Sequence, residues 1–152
     1  MIRLIPTPFL LAAVLVLAVA QAPLAQSFDT RAEAAYVLDQ TTDTVLLEKN
    51  ADQPLPPASM SKLMTLYMAF EAIADGRLGV DDVLPVSQHC FEYRGSTMFL
   101  DPSDRVRVED LLRGVVVLSG NDASCVLGEA LSPDGTEAGF ARMMTARAEN
   151  LG

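Results

Sequence analysis

The sequence predicts an α+β fold, one opening β-hairpin followed by a mostly helical region. Three observations carry that prediction: two short apolar runs joined by a turn, a proline-rich stretch behind them, and helical periodicity through most of residues 59–151. Composition agrees with a folded domain, since 50% of the 152 residues are apolar and only 9 Gly, 9 Pro and 2 Cys occur. Such counts exclude collagen-like, disulfide-framework and plainly disordered chains. A net charge of −9 without a local basic patch excludes nucleic acid as a partner.

The first element in chain order is a leader rather than part of the fold. Residues 10–20, LLAAVLVLAVA, form an unbroken apolar run behind Met1-Ile2-Arg3 and end in small residues. A membrane-spanning helix needs about 20 such residues, so the pattern predicts an export signal at 1–20. The expected cut follows Ala20, with a cut after Ala25 as the alternative. An uncleaved anchor is the competing reading, and the shortness of the run argues against it. No Cys lies near the junction to take a lipid. Losing Arg3 leaves 20 acidic against 10 basic side chains, a charge of −10. The expected location is periplasmic, or more broadly the cell envelope.

Residues 34–39 and 44–48 read as strands of a hairpin, joined by the turn-rich stretch 40–43. Gln53-Pro54-Leu55-Pro56-Pro57 cannot be helical and releases a helix over 59–74, which Asp75-Gly76 closes. Met60, Leu63, Met64, Leu66, Tyr67, Met68, Phe70 and Ile73 surround nearly its whole circumference. That distribution predicts a buried central helix. Residues 79–95 read as less regular with short extended runs, and helices are expected at 106–118, 121–131 and 136–151.

The chemistry sits at the start of the central helix, in Ser59-Met60-Ser61-Lys62. Positions three apart share a helix face, so the Ser59 hydroxyl and the Lys62 amine are expected within hydrogen-bond reach. A serine hydroxyl is a weak nucleophile until a base takes its proton, and lysine is such a base only when neutral. Apolar neighbours (Met60, Leu63, Met64 and Leu66) and the positive end of the helix dipole both disfavour an ammonium at Lys62. The bland alternative is a helix cap at Ser59 and a snorkelling Lys62. A second element, Ser119-Gly120-Asn121 between two helices, projects two polar side chains from a tight turn, where ordinary capping is the bland alternative.

Pro57-Ala58-Ser59-Met60-Ser61-Lys62-Leu63-Met64-Thr65, Gly95-Ser96-Thr97-Met98-Phe99-Leu100 and Ser119-Gly120-Asn121-Asp122-Ala123 together resemble the serine-type D-alanyl-D-alanine carboxypeptidases, the low-molecular-mass penicillin-binding proteins. The resemblance runs from about residue 34 to 152. It implies a β-lactamase/transpeptidase-like fold and acyl transfer from a peptidoglycan stem peptide to Ser59. It further implies that Lys62 is the general base, Ser119 a proton relay to the leaving amine, and Asn121 a substrate-binding donor. The Ser59 backbone N–H would form half of an oxyanion hole. Stem peptides and β-lactams are the implied partners, and no cofactor is implied. Membrane association would need a C-terminal segment outside these 152 residues.

Some positions depart from the family pattern. Ser103 stands where a Gly is usual, and Met143-Met144 where Met-Asn is usual. No Lys-Thr-Gly tripeptide occurs, although that third motif normally lies on a strand that supplies an oxyanion donor and binds the substrate carboxylate. Residues 21–152 therefore read as the N-terminal part of the catalytic domain, truncated before that motif and lacking later strands. The chain by itself is expected to be inactive, and its central helix to be left with exposed apolar surface. A class A β-lactamase would carry Ser-Asp-Asn in place of Ser119-Gly120-Asn121, and Gly120 favours the carboxypeptidase. A non-catalytic peptidoglycan-binding relative is the reading of a different class.

His89, the sole histidine, reads as a surface or loop residue, since a lysine-dependent serine site needs no imidazole. Cys90 and Cys125 form an even pair in an exported chain, but Cys125 falls on an apolar helix face where a free thiol packs well. Unpaired cysteines are the expectation. No group of residues has metal-ligand spacing, so no metal is expected.

Overall fold

The computed structural model describes residues 29–152. The expected leader, with its cuts after Ala20 or Ala25, lies outside the described residues. The described chain divides into two units, one ending at Leu55 and the other spanning Pro56–Gly152.

In the first unit, β1 (Ala35–Asp39) and β2 (Thr44–Lys49) pair antiparallel, with Tyr36 opposite Glu48 and a bulge between Val37 and Leu38. The turn forms because Asp39 accepts the Thr41 N–H at 2.8 Å and Asp43 adopts a left-handed φ of 54°. Tyr36, Val37, Val45 and Leu46 are exposed, since a two-stranded ribbon has no second layer of its own to cover them.

The second unit carries the core. A 3₁₀ turn (Ala58–Met60) leads into α1 (Ser61–Ala74), which ends at Asp75 and a left-handed Gly76. The expected burial on all sides is not observed. Thr65, Met68, Ala69 and Ala72, at helical spacing, are buried, whereas Met60, Leu63 and Phe70 are exposed, Leu63 at 69%. One stripe is enough because Ala69 and Ala72 are small and let α1 approach its neighbours closely. The opposite apolar side has no partner among the described residues.

Next come β3 (Val83–Pro85), the short α2 (Gln88–Phe91) and β4 (Arg105–Arg107), with β3 and β4 antiparallel and Leu84 opposite Val106. The helix expected over 106–118 therefore starts two residues late. Arg105-Val106-Arg107 alternates exposed and half-buried positions at a strand's period of two, and only then does α3 (Val108–Leu118) begin. Two of its first N–H groups are taken by loop carbonyls, Val108 by Asp82 and Glu109 by Val80, both at 2.9 Å. Val108, Leu111, Leu112 and Val115 face inward.

Then α4 (Asn121–Leu131) and α5 (Glu137–Leu151) complete the helical group. Gly128 lets α4 and α5 close up, since a Cβ there would lie 2.8 Å from the Phe140 ring. Thr136 caps α5 by accepting the Gly139 N–H. Arg147 on α5 grips the Glu71 carboxylate of α1 through two nitrogens and donates to the Tyr67 hydroxyl at 2.9 Å. Val108, Leu111, Val126 and Leu127 form the centre of the core.

The expectation of free cysteines is overturned: Cys90 on α2 and Cys125 on α4 form a disulfide, with Cα atoms 5.4 Å apart. Cys125 does lie on the apolar face of its helix, but α2 delivers Cys90 to the same buried spot. Sequence periodicity placed one partner and was silent on the other. His89 is exposed on α2, where it pairs with Glu137 at 2.9 Å.

Candidate active site

Lys62 is the hub of the site. From the first turn of α1 its Nζ donates to the Ser119 carbonyl at 2.5 Å, the Ser119 hydroxyl at 3.0 Å and the Asn121 side-chain oxygen at 2.6 Å. Three acceptors match the three N–H bonds of an ammonium. Burial pushes the Lys62 pKa below its ordinary value, and the negative charge of Asp122 opposes that shift. Burial thus loosens the lysine's hold on its proton, whereas the three acceptors and Asp122 favour the ammonium.

The α3–α4 turn presents these acceptors because Ser119 adopts a left-handed conformation, φ 55° and ψ 39°, which ends α3 abruptly and turns its carbonyl and hydroxyl toward Lys62. Asn121 is fixed from both ends: its side-chain N–H donates to the Arg94 carbonyl at 2.7 Å, and its backbone N–H donates to the Ser96 carbonyl at 2.7 Å.

Ser59 departs from the simple helical expectation. It lies in the 3₁₀ turn, exposed, and Lys62 spends its donors on Ser119 and Asn121 rather than on the Ser59 hydroxyl. The residue before it, Ala58, holds a left-handed φ of 48°, and Ser61 ties back to the Ala58 carbonyl at 2.8 Å. A non-glycine residue in that region costs on the order of 1–2 kcal/mol. Ala58, Ser119 and Phe99, in the segments that form or border this site, adopt it, as do Asp43 and Asn50 in the first unit.

Sequence reasoning missed Asp122. Only 2% exposed, its carboxylate accepts the N–H groups of Met98 at 2.9 Å, Leu100 at 3.1 Å and Ala123 at 2.8 Å. An acid in the first turn of a helix is ordinarily a dipole partner, so nothing in the sequence distinguished it. Tyr93 and Glu137 were missed too. With Lys62 and Asn121 they line a cavity of about 320 Å³. The Tyr93 hydroxyl donates to Glu137 at 2.6 Å, and burial, reinforced by that carboxylate, pushes the phenol up to about 12. His89, Cys125 and Glu129 approach one another, but Cys125 is committed to its disulfide and is no metal ligand.

Comparison with known proteins places this geometry in a family. The family model described as Peptidase S11, D-alanyl-D-alanine carboxypeptidase, matches residues 18–152. The chain belongs to the D-alanyl-D-alanine carboxypeptidase family. A family relative, D-alanyl-D-alanine carboxypeptidase DacF of Bacillus subtilis, is 36% identical over 121 residues, covering 80% of this chain and 31% of its own. The crystal structure of the carboxypeptidase DacD from Francisella tularensis superposes with a TM-score of 0.76 at 34% identity, over 82% of this chain and 30% of that one. Penicillin-binding protein D2 of Listeria monocytogenes, solved in its ampicillin-bound form, gives a TM-score of 0.68 at 33% identity, over 80% and 47% of the two chains. The described residues thus form part of the penicillin-binding-protein fold, and the chain spans about a third of the length of the curated relatives it matches.

Proposed function

We propose that the protein is a serine-type D-alanyl-D-alanine carboxypeptidase that acts on peptidoglycan stem peptides through an acyl-enzyme on Ser59. The observation that carries this reading is the convergence of Lys62 with Ser119 and Asn121, residues from two distant motifs, next to the exposed Ser59 turn. In the reaction, the Ser59 oxygen attacks the carbonyl carbon of the penultimate D-alanine, and its proton passes to neutral Lys62. Ser119 hands its proton to the departing nitrogen of the terminal D-alanine as the C–N bond breaks and takes the proton held on Lys62, which returns the lysine to its neutral form. Water then attacks the ester and gives up a proton to Lys62; as the bond to the Ser59 oxygen breaks, that proton passes to the oxygen, which frees the shortened peptide as its carboxylic acid and restores the Ser59 hydroxyl and the neutral lysine.

Roles follow from position. Lys62 needs no movement to reach Ser119, and a shift of its flexible stem brings it to the Ser59 hydroxyl one turn away. Asn121 is rigid enough to orient a substrate amide because its backbone and side-chain N–H groups are already pinned. The Ser59 N–H, at the beginning of a helical segment, is suited to half of an oxyanion hole. β-Lactams, whose strained amide mimics the scissile bond, would acylate the same serine. The action lies outside the cytoplasm, in periplasm or envelope, after removal of residues 1–20. The apolar leader run and a buried disulfide, a bond that oxidising compartments sustain, support that location.

The test is covalent labelling with a fluorescent penicillin in the protein as its gene encodes it, followed by peptide mapping. The label is expected on Ser59 alone. Label on Ser61 or Ser119, or a folded protein that takes none, overturns the assignment and favours a non-catalytic peptidoglycan-binding role.

A further inference from the structure

Asn121 holds Lys62, but Asn121 is itself held by a loop. Its two N–H contacts go to the carbonyls of Arg94 and Ser96, in a segment that has no regular secondary structure between α2 and β4. Something must keep those carbonyls in place. The Asp122 carboxylate, next to Asn121 in sequence, accepts the N–H groups of Met98 and Leu100, two and four residues beyond Ser96. Phe99 between them holds a left-handed φ of 59° and is 91% exposed. The clamp therefore maintains a conformation that the loop would not choose by itself. Met98 also fills the space over Gly114 of α3, where any Cβ would collide with it.

We propose that Asp122 is a positioning residue of the site: by clamping the Met98 and Leu100 N–H groups it fixes the Arg94–Ser96 carbonyls that orient Asn121, and through Asn121 it sets the place of Lys62. The inference rests on the acyl-transfer reading of Ser59 and Lys62, and goes beyond it by assigning a role to a residue that touches no substrate. A second consequence is electrostatic. The charged or titratable groups facing Lys62 are Asp122 from α4 and, across the shared cavity, Tyr93 and Glu137. Among them Asp122 acts on the lysine by favouring its ammonium. Removing that charge makes Lys62 easier to deprotonate, so a reaction needing neutral lysine keeps its rate to lower pH.

Asp122→Asn keeps the shape and removes the charge and one acceptor oxygen. In this variant, amide hydrogen exchange at Met98 and Leu100 is expected to accelerate at least about 10-fold, and the Lys62 titration, followed by NMR at its ε-carbon, to move to lower pH. Penicillin labelling of Ser59 is expected to slow near neutrality while its acidic limb also moves to lower pH. A residue of merely structural importance would lower labelling equally at every pH. Unchanged exchange, or a Lys62 midpoint that stays or rises, overturns the proposal. Should the wild type fail to label at all, the acyl-transfer reading falls, whereas exchange and the lysine titration still decide the clamp. Should Asp122→Asn not fold, the wild type decides: Met98 and Leu100 must be protected like the core amides of Val126 and Leu127, and rapid exchange there overturns the proposal.

Discussion

Breaking the Cys90–Cys125 crosslink should cost this protein a large part of its stability. The bond spans 35 residues, and closing a loop of that length in the unfolded chain corresponds to about 4 kcal/mol at 25 °C by chain entropy. Both cysteines are buried, at 0% and 2% exposure, so Cys90→Ala with Cys125→Ala also loses packed sulfur and should not fall below that figure. The second unit has roughly the size at which 1 kcal/mol shifts the melting temperature by about 4–8 °C, so the midpoint should drop by at least about 15 °C. Urea and thermal melts of the wild type, the wild type unfolded and refolded with reductant, and the double variant provide the assay. The reduced wild type and the double variant should agree, and native wild type should resist reductant because the sulfurs are covered. A loss under about 1 kcal/mol, or rapid reduction of the native protein, would refute this account of the bond.

Two further predictions concern ionisation at the site. Lys62→Arg should lower Ser59 labelling by at least about 100-fold although the positive charge remains, because a guanidinium stays protonated and cannot take the serine proton; labelling within a few-fold of wild type would make Lys62 purely structural. Tyr93 should titrate near pH 12 by ultraviolet absorbance, and Glu137→Gln should bring that midpoint down by removing a carboxylate that both accepts the hydroxyl and repels the phenolate. Since the folded-state value is the raised one, this phenol's contribution to stability is complete below about pH 10 and disappears as pH climbs through about 12. A Tyr93 midpoint unmoved by Glu137→Gln would rule out the pairing.

What the sequence determined by itself was local. The hairpin is legible in the two short apolar runs around the turn at residues 40–43, and α4 and α5 in their helical periodicity, because turn chemistry and helical spacing act over a few residues. The motifs at Ser59-Lys62 and Ser119-Asn121 were visible as residue types at fixed offsets, and they sufficed to point to the family. Apolar counting around α1 misjudged its burial, since periodicity records which side chains are apolar and not which faces find a partner. β3 falls among the short extended runs read over 79–95, but β4 and the pairing of the two escaped because three-residue strands exist only by virtue of each other.

Tertiary structure alone decided everything that joins distant segments. Lys62 meets Ser119 across 57 residues, Cys90 meets Cys125 across 35, and Tyr93 meets Glu137 across 44. Asp122 shows the reason most clearly. In the sequence it is one acid at a helix start; in the fold its two oxygens reach backbone groups 22 and 24 residues away. A backbone N–H carries no signature in the sequence, so the acceptor that holds it can be recognised only once packing has excluded water and brought the two together.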